Sequence, residues 1–391
     1  MSCVIFGAGK IARGFIGDLL FESNIPFTFI EKVDSLVDLI NERKQYSINI
    51  LGAPEKNIVV KNASALKFSQ EEEIKNAIAN ADAVFTAVGG KNLNEIVPFL
   101  VMGIKEKIAK KEKLNIITCE NWKKPADILK DGVLASFSNE DDKKYIEENI
   151  GFTEAVIMRS GIEATPDLLA KDPLIVNVQN FWHLPFDASR IKADMPIGMM
   201  CLEPIYDFGG FLERKFYTYN AANGTTSFVG AILGFKYIAD AAHDERIIEL
   251  LDGVYHETAT ALCNKYKMSF EEQWAFTRTS FKKLQDYDIV DYIERNARDP
   301  MRKLGKDDRL VGSARMCLEY GVKPTNLAVA IACAIFYEND EDEFAVQLKN
   351  IRENEGIDAV LEKVCSLNPN GELGLLIKEK INEIKQKGWI K

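Results

Sequence analysis

Short apolar runs alternate with longer segments of helical period through the first half of the chain. Residues 3–6, 26–30, 57–60, 83–88, 115–118 and 155–158 predict strands. Residues 11–21, 71–79 and 93–110 predict helices between them. Strand and helix in alternation imply a mostly parallel, doubly wound sheet with helices on both faces. From about residue 200 the two-residue alternation gives way to helical periods, at 231–242, 247–266, 270–283, 328–337 and 343–351, and the tail 378–391 reads as an amphipathic helix. Pro196, Gly198, Pro204, Gly209 and Gly210 punctuate the crossover. The expected fold class is α/β, with a nucleotide-binding sheet domain over residues 1–195 and a mostly α-helical domain over 196–391.

The turn that ends the first strand carries the first chemical signal. Val4-Ile-Phe enters Gly7-x-Gly9-x-x-Ala12, and an apolar helix follows. Gly7 permits a tight turn, Gly9 lets the backbone approach a pyrophosphate, and Ala12 allows close packing of helix and strand. The helix N-terminus offers free N–H groups to phosphate. Glu31, at the end of the next apolar run, is placed to accept both ribose hydroxyls of an adenosine and to repel a 2′-phosphate. The expectation is a Rossmann-like domain that takes NAD rather than NADP, with Lys32 the one neighbour arguing the other way. Gly89, Gly90 and Asn92 follow another strand end, where such sheets bind ligands, although a plain Gly-rich turn reads the same.

At 391 residues the chain accommodates two cores. A net charge of −10 and the lack of a long Lys/Arg run argue against nucleic-acid or acidic-membrane partners. The seven cysteines are scattered with no CxxC, which fits buried free thiols in a reducing compartment rather than a disulfide framework. The chain shows no signal-peptide pattern and no apolar stretch near the ~18 residues of a membrane span, so a cytoplasmic protein is expected.

Only His183, His243 and His256 are present, none at ligand spacing from another, so catalytic zinc is not expected. A metal-free hydride transfer needs a side-chain base and polar donors for the oxyanion. On an α-helix Lys215, Tyr219 and Asn223 fall within about 80° of one another, with Asn220 flanking at about 140°. Partial burial of Lys215 would lower its pKa towards a usable base. A surface helix with a solvated lysine fits the same spacing, and Asn223-Gly224 also reads as a turn that would end the helix. Arg302, Lys303, Lys306 and Arg309 form a basic group suited to a phosphate or carboxylate, or to salt bridges with the intervening aspartates.

The opening Phe6-Gly-Ala-Gly-Lys-Ile-Ala-Arg-Gly-Phe15 resembles that of the polyol-specific long-chain dehydrogenases. Thr86-Ala-Val-Gly89, Cys119-Glu-Asn121, Glu213-Arg-Lys215 with Asn220, Arg298-Asp-Pro-Met-Arg-Lys-Leu304, Asp308-Arg-Leu310 and Leu318-Glu-Tyr-Gly321 follow in that family's order. The resemblance implies a two-domain, metal-independent oxidoreductase, often monomeric with a dimer as the alternative. Its substrate would be a hexitol phosphate and its ketohexose phosphate, with mannitol 1-phosphate and fructose 6-phosphate the first pair. The alternatives are an unphosphorylated polyol, a sugar acid of the altronate or fructuronate type, and an NAD sensor that has lost catalysis. By resemblance Lys215 is the acid/base, and Asn220 and Asn121 hold the substrate oxygen. NAD contacts fall to Gly7, Ala8, Gly9, Lys10, Ile11, Glu31, Val88 and Gly89. Substrate contacts fall to Asn223, Arg302 and Lys303. Asn223 stands where the family's Lys-x4-Asn-x2-His motif has histidine, so this position hydrogen-bonds without carrying a proton near neutrality. Residues 161–173 and the stretch around Trp182 also depart from the family.

Overall fold

The computed structural model describes residues 2–162, 164–196 and 199–390. It divides into two compact units, Met1–Phe208 and Gly209–Lys391. In the first unit six parallel strands form one sheet: β1 (Cys3–Phe6), β2 (Phe27–Glu31), β3 (Ala65–Lys67), β4 (Ala83–Thr86), β5 (Leu114–Thr118) and β6 (Ile150–Glu154), in the order β3-β2-β1-β4-β5-β6. This is the doubly wound dinucleotide order, whose direction reverses beside β1.

The apolar runs have a simple cause. Side chains alternate across a strand, and both faces of this sheet are covered. Cys3 and Ile5 join Phe15, Leu19 and Phe29 in one core, whereas Val4 and Phe6 join Ile74, Ile96 and Leu100 in another. The helix after β1 is squeezed between this sheet and a second one of four strands, Ile58–Lys61, Gln45–Leu51, Val176–Gln179 and Gly161–Ile162. Gly14 makes that approach possible, because a Cβ there would stand 2.5 Å from a Val178 methyl.

The second unit is helical. Thr325–Ile335 runs through its core with every residue from Leu327 onward buried, ringed by Ala221–Ile232, Glu245–Tyr266 and Glu372–Gln386. The carboxylate of Glu257 caps that central helix, accepting the N–H groups of Asn326 (2.7 Å) and Leu327 (3.1 Å).

Several expectations change. The strand expected at 155–158 ends before Ala155, because Ile150–Glu154 pairs with β5. The strand expected at 57–60 runs instead over Ile58–Lys61 and belongs to the second sheet, antiparallel to Gln45–Leu51. The helix expected at 231–242 breaks at Gly234, whose φ of +82° ends one helix before Ile238–Ala241 begins. Asn223-Gly224 makes no turn and stays helical, with Gly224 packed against the Arg309 stem. The first unit extends past residue 195, since Leu202–Ile205 pairs in parallel with Leu184–Asp187. Gly198, one of the expected breakers, lies outside the described residues.

Candidate active site

In the first unit the backbone forms the site. Gly7 turns the chain at φ +92°, and a Cβ there would meet the Ala87 carbonyl oxygen at 2.5 Å. At Gly9 nothing comes within 4 Å of a would-be Cβ, which leaves an open cradle at the start of the helix. The first N–H groups of that helix lack intrahelical partners by construction, and a pyrophosphate would satisfy them. The residues present therefore fit a dinucleotide.

Two carboxylates set this geometry. Glu31 accepts the Ala8 N–H through one oxygen (2.7 Å) and the Val33 N–H through the other (2.9 Å). Each oxygen keeps a second lone pair, enough for two ribose hydroxyls. Lys32 is drawn away to Glu95 at 2.5 Å. Glu120, given no role in the sequence reading, accepts the N–H groups of Val88 (2.8 Å) and Gly89 (2.9 Å) and the Thr86 hydroxyl (3.1 Å). Lys10 is exposed, Ile11 half-buried, and Asn121 exposed directly after Glu120. Beneath the turn, buried Arg159 donates to the Gly14 carbonyl (2.9 Å) and to Asp18 (2.5 Å), with Trp182 stacked 4.2 Å from its guanidinium. Here Trp182 covers a structural brace. Burial raises the Asp18 carboxyl to about 6 despite that arginine.

In the second unit the site is a set of side chains on one helix, running through Phe208–Lys215, Phe216–Asn220 and Ala221–Ile232. The middle segment is a π-turn, with the Ala221 N–H bonded back to the Phe216 carbonyl. A π-turn links residues five apart, so Asn220 comes into line with Lys215 instead of flanking it. Asn223, three residues further in α geometry, lies about 60° round from Asn220.

Neighbouring charges along this helix are paired. Glu213 is held by Lys265 at 2.6 Å and by the Tyr266 hydroxyl, and Arg214 by Gln273 at 2.6 Å. Gln273 in turn donates to Thr218 (3.0 Å), and Phe276 on the same helix packs against Tyr219. Half-buried Lys215 pairs with no carboxylate among the described residues. Burial, and then the charge of Arg309, hold its pKa below the ordinary lysine value. Arg309 reaches this position because its stem packs on Gly224 and its guanidinium lies over the Phe216 ring, with Asp308 bound at 2.9 Å. Lys283 is lowered further, to about 8, by burial and by Lys215.

The basic group divides. Arg302 is half-exposed and paired with Asp299 (3.0 Å) and Asp308 (3.3 Å). Lys303 is buried and donates to the carbonyls of Asn296 (2.7 Å) and Arg298, which commits two of its three protons to the fold. Burial lowers it to about 8. Asn223 donates its side-chain amide to Asn296 Oδ1 at 3.2 Å. Among the described residues no group of three or more His, Cys, Asp or Glu gathers to hold a metal. His243 bonds the Ala239 carbonyl, His256 packs on Trp274, and His183 faces Glu203. No helix is long and apolar enough to cross a membrane among the described residues.

Residues 1–197 match the mannitol dehydrogenase Rossmann domain, and residues 207–385 match the mannitol dehydrogenase C-terminal domain. A mannitol-1-phosphate 5-dehydrogenase of Clostridium acetobutylicum is 30% identical over 387 residues, spanning 99% of this chain and 100% of that one. Its counterpart in Caldanaerobacter subterraneus is 32% identical over 383 residues, spanning 98% of each. In fold, the chain is similar to a substrate-free D-sorbitol dehydrogenase (TM-score 0.81, 14% identity, 100% of this chain and 94% of that one). It is also similar to Pseudomonas fluorescens mannitol 2-dehydrogenase, solved with NAD and D-mannitol (TM-score 0.67, 11% identity, 100% and 92%).

Proposed function

The chain belongs to the mannitol dehydrogenase family, and on that premise we propose that it interconverts mannitol 1-phosphate and fructose 6-phosphate with NAD. The observation that carries the chemistry is Lys215, an amine with no carboxylate partner among the described residues and with a cationic neighbour. Both conditions favour the neutral form a base requires.

NAD, when bound, supplies the hydride acceptor for oxidation and the donor for reduction. The Gly7–Ile11 turn would take its pyrophosphate, Glu31 its adenosine ribose, and Val88 and Gly89 would line its path. Neutral Lys215 takes the proton from the substrate hydroxyl and becomes an ammonium. In reduction that ammonium returns the proton to the nascent alkoxide. Asn220 donates to the same oxygen and does not change charge in doing so, and the family resemblance gives Asn121 a like donor role. One such donor is worth roughly 3 kcal/mol in the transition state. Asn223 would touch the polyol, and Arg302 with Lys303 would face the phosphate.

A second reading, an unphosphorylated polyol or sugar acid, draws support from the same basic group. Arg302 is already paired, and Lys303 is spent largely on carbonyls. Reduction of fructose 6-phosphate, fructose and fructuronate with NADH and NADPH separates the readings. We expect fructose 6-phosphate with NADH to give the highest kcat/KM. Equal turnover of fructose would remove the phosphate from the proposal, and NADH binding without turnover of any of the three would point to a sensor.

A further inference from the structure

The carboxamide of Asn223 is oriented by a chain of hydrogen bonds that starts at a carboxylate. Asp291 can only accept, and it takes the Asn296 side-chain amide at 2.6 Å. The Asn296 amide also donates to the Tyr292 carbonyl at 2.9 Å, so both bonds engage its nitrogen. Asn296 Oδ1 is thereby left facing Asn223, and only the Asn223 nitrogen can answer it, at 3.2 Å. Each amide has one permitted orientation, set by the carboxylate at the end. The Asn223 oxygen points away from this chain. It has no donor among the described residues and is not sealed from solvent.

The support beneath the chain is firm. The Asp291 carbonyl accepts the Ile238 N–H (2.9 Å), and the Lys236 carbonyl accepts the Ile293 N–H (3.0 Å). The Asn296 carbonyl accepts from Lys303 (2.7 Å). Ile293 also packs against Gly230, on the helix that carries Asn223. The groups facing the pair include Arg295, 3.7 Å from Asp291.

Resting on the reading of the Lys215 helix as the polyol site, we propose that Asp291 and Asn296 are positioning residues. They fix the Asn223 oxygen as a one-way acceptor for a substrate hydroxyl. A fixed acceptor selects a ligand group that donates and disfavours one that only accepts. The site would therefore recognise a hydroxyl of the polyol chain at this point, and an analogue with that hydroxyl oxidised or removed would bind worse.

The test is the KM for fructose 6-phosphate in the full-length enzyme, read beside kcat, NADH affinity and Tm. Asn296→Leu should raise KM about 5- to 10-fold, the loss of one oriented hydrogen bond, with NADH affinity unchanged. Asn296→Asp should also raise it, because two carboxylates then face each other. Adding Asp291→Asn to Asn296→Asp should restore KM. The new amide at 291 donates to the new carboxylate at 296, which still accepts from Asn223. A merely structural contact would give no such reciprocal rescue. Unchanged KM in Asn296→Leu, or a folded double variant no better than Asn296→Asp, would overturn the proposal. Lys215→Ala, assayed in parallel, keeps the two failures apart. If it retains turnover, the site reading itself falls. If turnover is lost while the Asn296 variants leave KM unmoved, only the amide chain falls.

Discussion

The two units build their halves of the chemistry in opposite ways. In the first, the groups proposed to meet the ligand are main-chain N–H groups, and carboxylates hold the loops that would present them: Glu31 on Ala8 and Val33, Glu120 on Val88 and Gly89. In the second, the groups are side chains on one helix, adjusted by residues from other elements: Arg309 on Lys215, Asn296 on Asn223. A backbone site tolerates changes in side chain wherever the path of the chain survives. A side-chain site depends on each neighbour that sets an orientation or a charge. Changes that bend the backbone should therefore hurt the first unit, and changes of charge or hydrogen-bond polarity the second.

The largest effect should come from Lys215→Met, which removes the base while keeping an unbranched stem. Its kcat should fall about 10³-fold, within the range for a lost general acid/base, while NADH affinity measured by fluorescence stays at the parental value. Gly7→Val comes next, since its Cβ meets the Ala87 carbonyl oxygen at 2.5 Å and φ is +92°. Denaturant unfolding should show a loss of at least about 2 kcal/mol, and nucleotide binding should weaken with it. Glu31→Ala should cost about 10- to 100-fold in NADH affinity by calorimetry and less in NADPH affinity, so the preference narrows. Arg309→Met removes a like charge from Lys215 and so raises the lysine's pKa. The alkaline rise of polyol oxidation should move to higher pH, and the alkaline loss of ketone reduction should move the same way. A downward shift would separate Arg309 from Lys215. Smallest is the response to a chelator: dialysis against EDTA should leave kcat unchanged, and a loss restored by zinc would show a metal role.

The same contrast explains what the sequence disclosed. The Gly7 turn, β1, and the helices Glu71–Ala79 and Leu93–Lys110 were legible because each depends on local period and local backbone geometry. Gln45–Leu51 alternates plainly, with Tyr46, Ile48 and Ile50 buried between more exposed polar residues. Its sheet could not be read locally, because its parallel partner Val176–Gln179 lies far along the chain. Lys215 and Asn220 could be named from the resemblance, yet their alignment could not. A regular helical period puts them well apart, and no residue type announces the π-turn between them. Glu120 stood inside a quoted motif, and Arg309 inside another, but their roles arise from long-range contacts. Asn296 had no signal at all, because the polarity of its amide is fixed only once Asp291 and Tyr292 fold around it.

The central claim is that Lys215 receives the substrate's proton. The pH dependence of mannitol 1-phosphate oxidation in Lys215→Ala, measured as initial NADH formation with both substrates saturating, addresses it most directly. The parent enzyme should gain rate as pH rises through the depressed lysine pKa, and the variant should be slow and flat across the same range. A variant that keeps the parental alkaline rise would place the proton on another group and contradict the account.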